Sequence, residues 1–244
     1  MTGIIRFGVT VTALLLSGNI NYKVERSNIM TPLEYVLQRK IVAIVRGLSP
    51  EYLVRLGHAF EEGGIGLMEV TYNQKAPETW KDTAAGIEAV EKEFGDRVLV
   101  GAGTVITLEQ VAMTYNAGGH YLVTPTTQPD IIRAGKALGL GLYPGALSPS
   151  EILSAYEAGA DAVKVFPVSS LGPGYIKAVR APLSHIPLMA VGGVNEKNAA
   201  DYMKAGCVGL GVGGNLVNKE WIENGEWGKI TALAKEFMKA VTEE

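Results

Sequence analysis

Short apolar runs alternate with longer amphipathic stretches along this chain from residue 31 onward. The first run, Ile41-Val42-Ala43-Ile44-Val45-Arg46, is apolar until its last residue, as in a parallel strand buried on both faces. Ser49-Pro50 then opens a segment in which Leu53, Leu56, Ala59 and Phe60 keep helical spacing, and Gly63-Gly64 stops it. Strand-like runs follow at 67–72, 98–102, 121–124, 140–143, 162–166, 188–191 and 208–212, which makes eight. They recur about every 20 to 30 residues, the length of a strand-plus-helix unit.

The connections repeat their chemistry. A glycine follows the last helical residue at Gly118, Gly139, Gly159 and Gly206, where a left-handed residue closes a helix. Cap residues open the helices: Thr107 with Gln110, Thr127 with Asp130, Ser148-Pro149 with Glu151, and Asn195. Eight such units with no second domain predict a (β/α)8 TIM barrel, an α/β fold, over residues 30–244. A short leading helix starts at Thr31-Pro32-Leu33-Glu34. A doubly wound open sheet fits less well, because no Gly-x-Gly-x-x-Gly follows the first strand.

Residues 1–29 read differently, with an apolar stretch from Phe7 to Leu16 that is short of the roughly 20 residues a membrane span needs. It matches a secretory signal only weakly, so the expectation is a disordered extension or a start assigned too far upstream. Composition narrows the partners. With 47% hydrophobic and 19% charged residues and a net charge of −3, nothing calls for nucleic acid or an anionic membrane. The lone Cys207 forms no internal disulfide and reads as a small core residue, and the scattered His58, His120 and His185 lack metal-ligand spacing.

Two ionisable residues interrupt otherwise apolar strands, Glu69 in the second and Lys164 in the sixth. Along a strand Ala162, Lys164 and Phe166 share one face. A lysine taken out of water there favours its neutral form, which is the nucleophile that attacks a ketone to form a Schiff base. Lowering a lysine from its ordinary pKa of about 10.4 to near neutrality takes about 4 kcal/mol, within reach of burial in a barrel. The plainer alternatives are a lysine snorkelling to solvent and a Glu–Lys pair that fills the barrel. Strand three ends in Gly101-Ala102-Gly103-Thr104, where Thr104 can donate a hydrogen bond to a carboxylate. The last two strands close with Gly192-Gly193 and with Gly213-Gly214-Asn215, followed by helical residues. Paired glycines after strands seven and eight read as a phosphate cradle of backbone N–H groups, with Arg46 adding positive charge.

The combination Glu69-Val70-Thr71, Gly101-Ala102-Gly103-Thr104-Val105, Pro144-Gly145, Lys164-Val165-Phe166-Pro167, Gly192-Gly193-Val194 and Gly211-Val212-Gly213-Gly214 resembles the 2-keto-3-deoxy-6-phosphogluconate aldolase family, which includes phosphogalactonate and 4-hydroxy-2-oxoglutarate aldolases. The resemblance runs from about Thr31 to the C-terminus. It implies a cytoplasmic, homotrimeric class I aldolase that needs no metal or organic cofactor and releases pyruvate from a small phosphorylated keto acid. It makes Lys164 the Schiff-base lysine, Glu69 the general acid/base acting through a water, and Thr104 the contact for the pyruvyl carboxylate. The two glycine pairs would take the far phosphate, and Asn73, Phe166 and Val191 fall at substrate-contacting positions.

Three positions depart from the gluconate-type pattern. Asn73 stands where an arginine is usual, and Val191 where a threonine contacts a substrate hydroxyl. Asn215 replaces the family serine but keeps a polar group. Val191, with the stretch 169–177, is similar to phosphogalactonate-type members, and a valine cannot hydrogen-bond. A phosphosugar isomerase on the same barrel and a non-enzymatic phosphometabolite binder remain the rival readings.

Overall fold

A computed structural model describes residues 30–242. The expectation for residues 1–29 falls outside these. The elements are α1 (Pro32–Arg39), β1 (Ile41–Arg46), α2 (Pro50–Glu62), β2 (Leu67–Thr71), α3 (Trp80–Phe94), β3 (Leu99–Gly103), α4 (Leu108–Asn116), β4 (Tyr121–Val123) and α5 (Pro129–Ala137). Then come β5 (Gly141–Tyr143), β6 (Gly145–Ala146), α6 (Pro149–Glu157), β7 (Val163–Val165), α7 (Gly172–Arg180), β8 (Leu188–Val191), α8 (Ala199–Lys204), β9 (Gly209–Val212), α9 (Lys219–Glu223) and α10 (Trp227–Thr242).

The sheet is parallel throughout and runs β5-β4-β3-β2-β1-β9-β8-β7-β6. Its two ends are one stretch of chain, because β5 and β6 are separated only by Pro144. Proline has no N–H to give to a ladder, so the fifth strand, expected over 140–143, stops there and a further short strand, β6, resumes beyond it. Backbone bonds still close the ring there. Asp161 N donates to Leu142 O at 2.9 Å, Lys164 N to Pro144 O at 2.9 Å and Phe166 N to Ala146 O at 3.0 Å. The result is the expected single-domain TIM-type barrel.

Alternation sorts the strand residues. Val163 and Val165 belong to the shell between sheet and helices, whereas Ala162 lies with Val42, Leu67, Leu99 and Tyr121 inside the ring. Tyr35 and Val36 of α1 join that interior group and plug the N-terminal end. The capping box of Thr31 and Glu34 fixes the start of this plug. Only the C-terminal mouth is left for chemistry. Cys207 is buried as expected, and burial pushes its thiol up to about 12, an inert core group.

Some local expectations shift. Gln128, not Thr127, is the N-cap of α5, since Pro129 takes the first helical position; the Thr127 hydroxyl donates instead to Gly145 O at 3.0 Å. Asn195 does not open α8, whose N-cap is Asn198; its side chain accepts from Lys197 N and Asn198 N in a turn one step earlier. After Gly213-Gly214-Asn215 the chain makes a turn, and α9 begins only at Lys219 behind its cap Asn218. The glycines at 118, 139, 159 and 206 all take positive φ as predicted.

Gly101 shows how tightly the interior is filled. It faces inward, and a Cβ there would overlap the Tyr121 ring reaching across from β4. Gly101→Ala should therefore cost about 1–3 kcal/mol of stability in a denaturant titration. Pairing it with Tyr121→Leu should cost less than the two separate losses summed, and strict additivity would show that the two sites do not touch.

Candidate active site

Glu69 sits at the centre of β2, in register with Ile44 of β1 on one side and Gly101 of β3 on the other. Its neighbours alternate so that Leu67, Glu69 and Thr71 climb the inner wall from the plug to the mouth. The residue is only 2% exposed. Its carboxylate lies against the Cα of Gly103, where any Cβ would overlap Oε1. Gly103 is thus the gap in the wall that the carboxylate occupies. Burial raises the Glu69 pKa, and the charges of Lys164 and Arg46 oppose the rise.

Lys164 climbs the facing wall on β7, in register with Gly145 of β6 and Met189 of β8, and is 7% exposed. Burial lowers its pKa; Glu69 works against that and Arg46 with it. The lysine does not snorkel out, and none of the ion pairs among the described residues joins it to Glu69. Its Nζ lies 4.9 Å from the centre of the Phe166 ring, which stands at the lip, 37% exposed. The pair therefore feels each other's field without neutralising by contact. Burial pushes both toward their uncharged forms, a nucleophilic amine and a carboxyl able to hold and return a proton.

The remaining predicted residues lie at or just beyond the C-terminal ends of the strands. Arg46 ends β1 at the rim beside Thr71, and its charge reaches both Glu69 and Lys164. Thr104 follows β3 with a left-handed φ of 57°, a conformation a β-branched residue rarely takes. Asn73 is exposed, with its Oδ1 held by Lys75 N at 3.0 Å and its carbonyl by Trp80 Nε1 at 2.9 Å. Val191 ends β8 facing inward, buried against the backbone of Gly211.

Gly192 and Gly193 take φ of 95° and 82°; a Cβ on Gly193 would overlap Ser169, and one on Gly192 would crowd the Phe166 ring. Gly214 is open on all sides, whereas Asn215 Nδ2 donates to Val194 O at 3.2 Å and ties the loops after β8 and β9 together. A groove of about 410 Å3 opens nearby between Thr126, Gly145, Ser150 and Phe166; Lys164 and Glu69 do not line it.

Sequence reading missed three contributors. Gly103 was visible only as part of a glycine-rich strand end, not as the seat of the carboxylate. Gln110 showed itself as the capping-box partner of Thr107, but its amide also reaches Gln74, which carried no signal at all.

Residues 33–233 match the family model described as KDPG and KHG aldolase. The chain belongs to this family. It is 38% identical over 177 residues to the 2-dehydro-3-deoxy-6-phosphogalactonate aldolase of Escherichia coli strain K12, covering 72% of this chain and 83% of that one. To the 2-dehydro-3-deoxy-phosphogluconate aldolase of Haemophilus influenzae it is 29% identical over 210 residues, 86% of this chain and 96% of the other. Among solved structures, native KDPGal aligns with a TM-score of 0.73 at 35% identity, over 82% of this chain and 93% of that one. The KDPG aldolase of Legionella pneumophila, with pyruvate captured as a covalent carbinolamine, aligns with a TM-score of 0.75 at 27% identity, over 84% and 97%.

Two outcomes test this geometry. Gly103→Ala should displace the Glu69 carboxylate and lower aldol cleavage about 100-fold, while pyruvate is still trapped on the amine by borohydride. Trapping should also follow the titration of Lys164, rising with pH through a midpoint below the ordinary lysine value, because only the neutral amine attacks. Arg46 disfavours the ammonium form, so Arg46→Met should move that midpoint up; Glu69 favours it, so Glu69→Gln should move it down. Opposite directions in a pH series of trapping rates would refute the assignment.

Proposed function

We propose that the protein is a class I aldolase that cleaves a 2-keto-3-deoxy-6-phospho sugar acid to pyruvate and glyceraldehyde 3-phosphate. The observation that carries this reading is the buried amine of Lys164 at the barrel mouth, out of ion-pair contact with a carboxyl, Glu69, that is buried as well. The neutral amine adds to the C2 ketone, and the carbinolamine, its hydroxyl protonated by the Glu69 carboxyl through a water, loses water to give a protonated imine. Ionised Glu69, through a water, takes the proton of the C4 hydroxyl as the C3–C4 bond breaks. The bonding pair moves into the imine to form an enamine, and the aldehyde leaves. Glu69 returns the proton to C3, and water hydrolyses the imine to pyruvate and free Lys164.

In this reading Thr104 faces the carboxylate end, and the loops bearing Gly192-Gly193 and Gly213-Gly214-Asn215 take the phosphate, with Arg46 on the strand next to β9 adding positive charge. Positive φ at Gly192 and Gly193 and the open backbone at Gly214 support such a cradle. An isomerase would use the phosphate cradle and could use the carboxyl as a base but needs no imine-forming amine, and a simple binder gives neither group a role. The reading extends to a cytoplasmic homotrimer. No helix among the described residues is long and apolar enough to cross a membrane. Exposed Leu147, Phe166 and Leu171 offer apolar surface for subunit contacts.

The deciding experiment incubates the protein with pyruvate, reduces with borohydride and maps the adduct by mass spectrometry. An adduct on Lys164 is expected, and its absence would leave the isomerase or the binder. For substrate choice, buried Val191 offers the sugar no hydrogen bond. Val191→Thr should shift the ratio of kcat/KM for the phosphogluconate over the phosphogalactonate compound about tenfold toward the gluconate epimer. Assays with both epimers and with 4-hydroxy-2-oxoglutarate, which would give pyruvate and glyoxylate, measure it.

A further inference from the structure

The left-handed backbone of Thr104 lies at the end of a side-chain relay that the mechanism does not use. Two backbone donors, Ile106 N at 2.8 Å and Thr107 N at 3.2 Å, point at Oε1 of the fully buried Gln110. Turning that amide over would set its NH2 against two N–H groups, so its orientation is forced. Gln110 Nε2 must then donate, and it meets Gln74 Oε1 at 3.1 Å. That in turn leaves Gln74 Nε2 as the donor to Thr104 O, at 2.6 Å. The other side of the same peptide is held as well, since Val105 N donates to Val123 O at 3.3 Å, and the preceding carbonyl of Gly103 accepts from Tyr72 N at 3.0 Å.

We infer that Gln74 is a positioning residue for the reaction: oriented by Gln110, it locks the Thr104 peptide so that the Thr104 side chain is presented to the substrate carboxylate. The inference rests on the reading that Thr104 contacts this carboxylate. A left-handed threonine is disfavoured by its own β-branching and persists only where the surroundings impose it. Here backbone bonds to Tyr72 N and Val123 O hold the flanking groups, and the one side-chain bond comes from Gln74 in the loop after β2, the strand that carries Glu69. The bond therefore also couples the carboxylate end of the site to the strand of the acid/base.

The test reads the pyruvate concentration that half-saturates borohydride trapping, together with the trapping rate at saturation. Gln74→Ala should raise the half-saturating concentration about tenfold and change the saturated rate less than about twofold, because only the carboxylate contact is loosened. Gln74→Glu keeps the length and the acceptor for Gln110 but cannot donate to Thr104 O, and should show the same split; it also serves should Gln74→Ala fold poorly. Thr104→Val keeps the branched shape and removes the hydroxyl. In that background Gln74→Ala should add no more than about a further twofold. An unchanged half-saturation in Thr104→Val would remove the Thr104 reading and the inference with it. A shift in Thr104→Val with none in either Gln74 variant would overturn the relay alone. An undiminished Gln74 effect on top of Thr104→Val would also overturn the relay, since it would show Gln74 acting elsewhere.

Discussion

Desolvation of one amine and one carboxyl inside a closed ring is the constraint on which this protein depends. In water a lysine and a glutamate are both charged and neither is useful as a nucleophile or a proton donor near neutrality. Within the barrel, burial disfavours both charges, and their mutual attraction only partly offsets it. Contact between them would tip the balance back toward an ion pair. The architecture keeps them on facing walls, Glu69 on β2 and Lys164 on β7.

The rest of the interior serves that separation. Glycine at 101 lets Tyr121 cross beneath the site, and glycine at 103 leaves a recess that the carboxylate fills. On the other wall Lys164 hydrogen-bonds through its own N–H to Pro144 O, at the point where the fifth strand is interrupted. The seam of the barrel is thus also the anchor of the Lys164 backbone. Thr124 and Thr127 brace the same place by bonding Gly145 from the neighbouring strand end. The plug of α1 closes the far end, so water and substrate meet the pair only from the mouth.

Much of this was legible along the chain. Strand runs, helix caps at Thr31, Thr107 and Ser148, and glycines after helices are local signals, decided within a few residues. Pro144 stands in plain view at the end of the fifth strand, but only pairing with β7 shows that the strand resumes beyond it. Thr127 and Asn195 fit the cap pattern but found other partners, which local spacing cannot arbitrate.

By itself the sequence determined the alternation of strands and helices, hence the ring. It also marked the two ionisable positions, because a charged residue inside an apolar strand stands out at short range. Only the tertiary structure decided what those residues feel. The recess at Gly103, the reach of Arg46 to both charges and the chain from Gln110 through Gln74 to Thr104 each join residues from different β-α units. Their energies depend on distance and burial across the barrel, quantities that no local pattern of residues encodes.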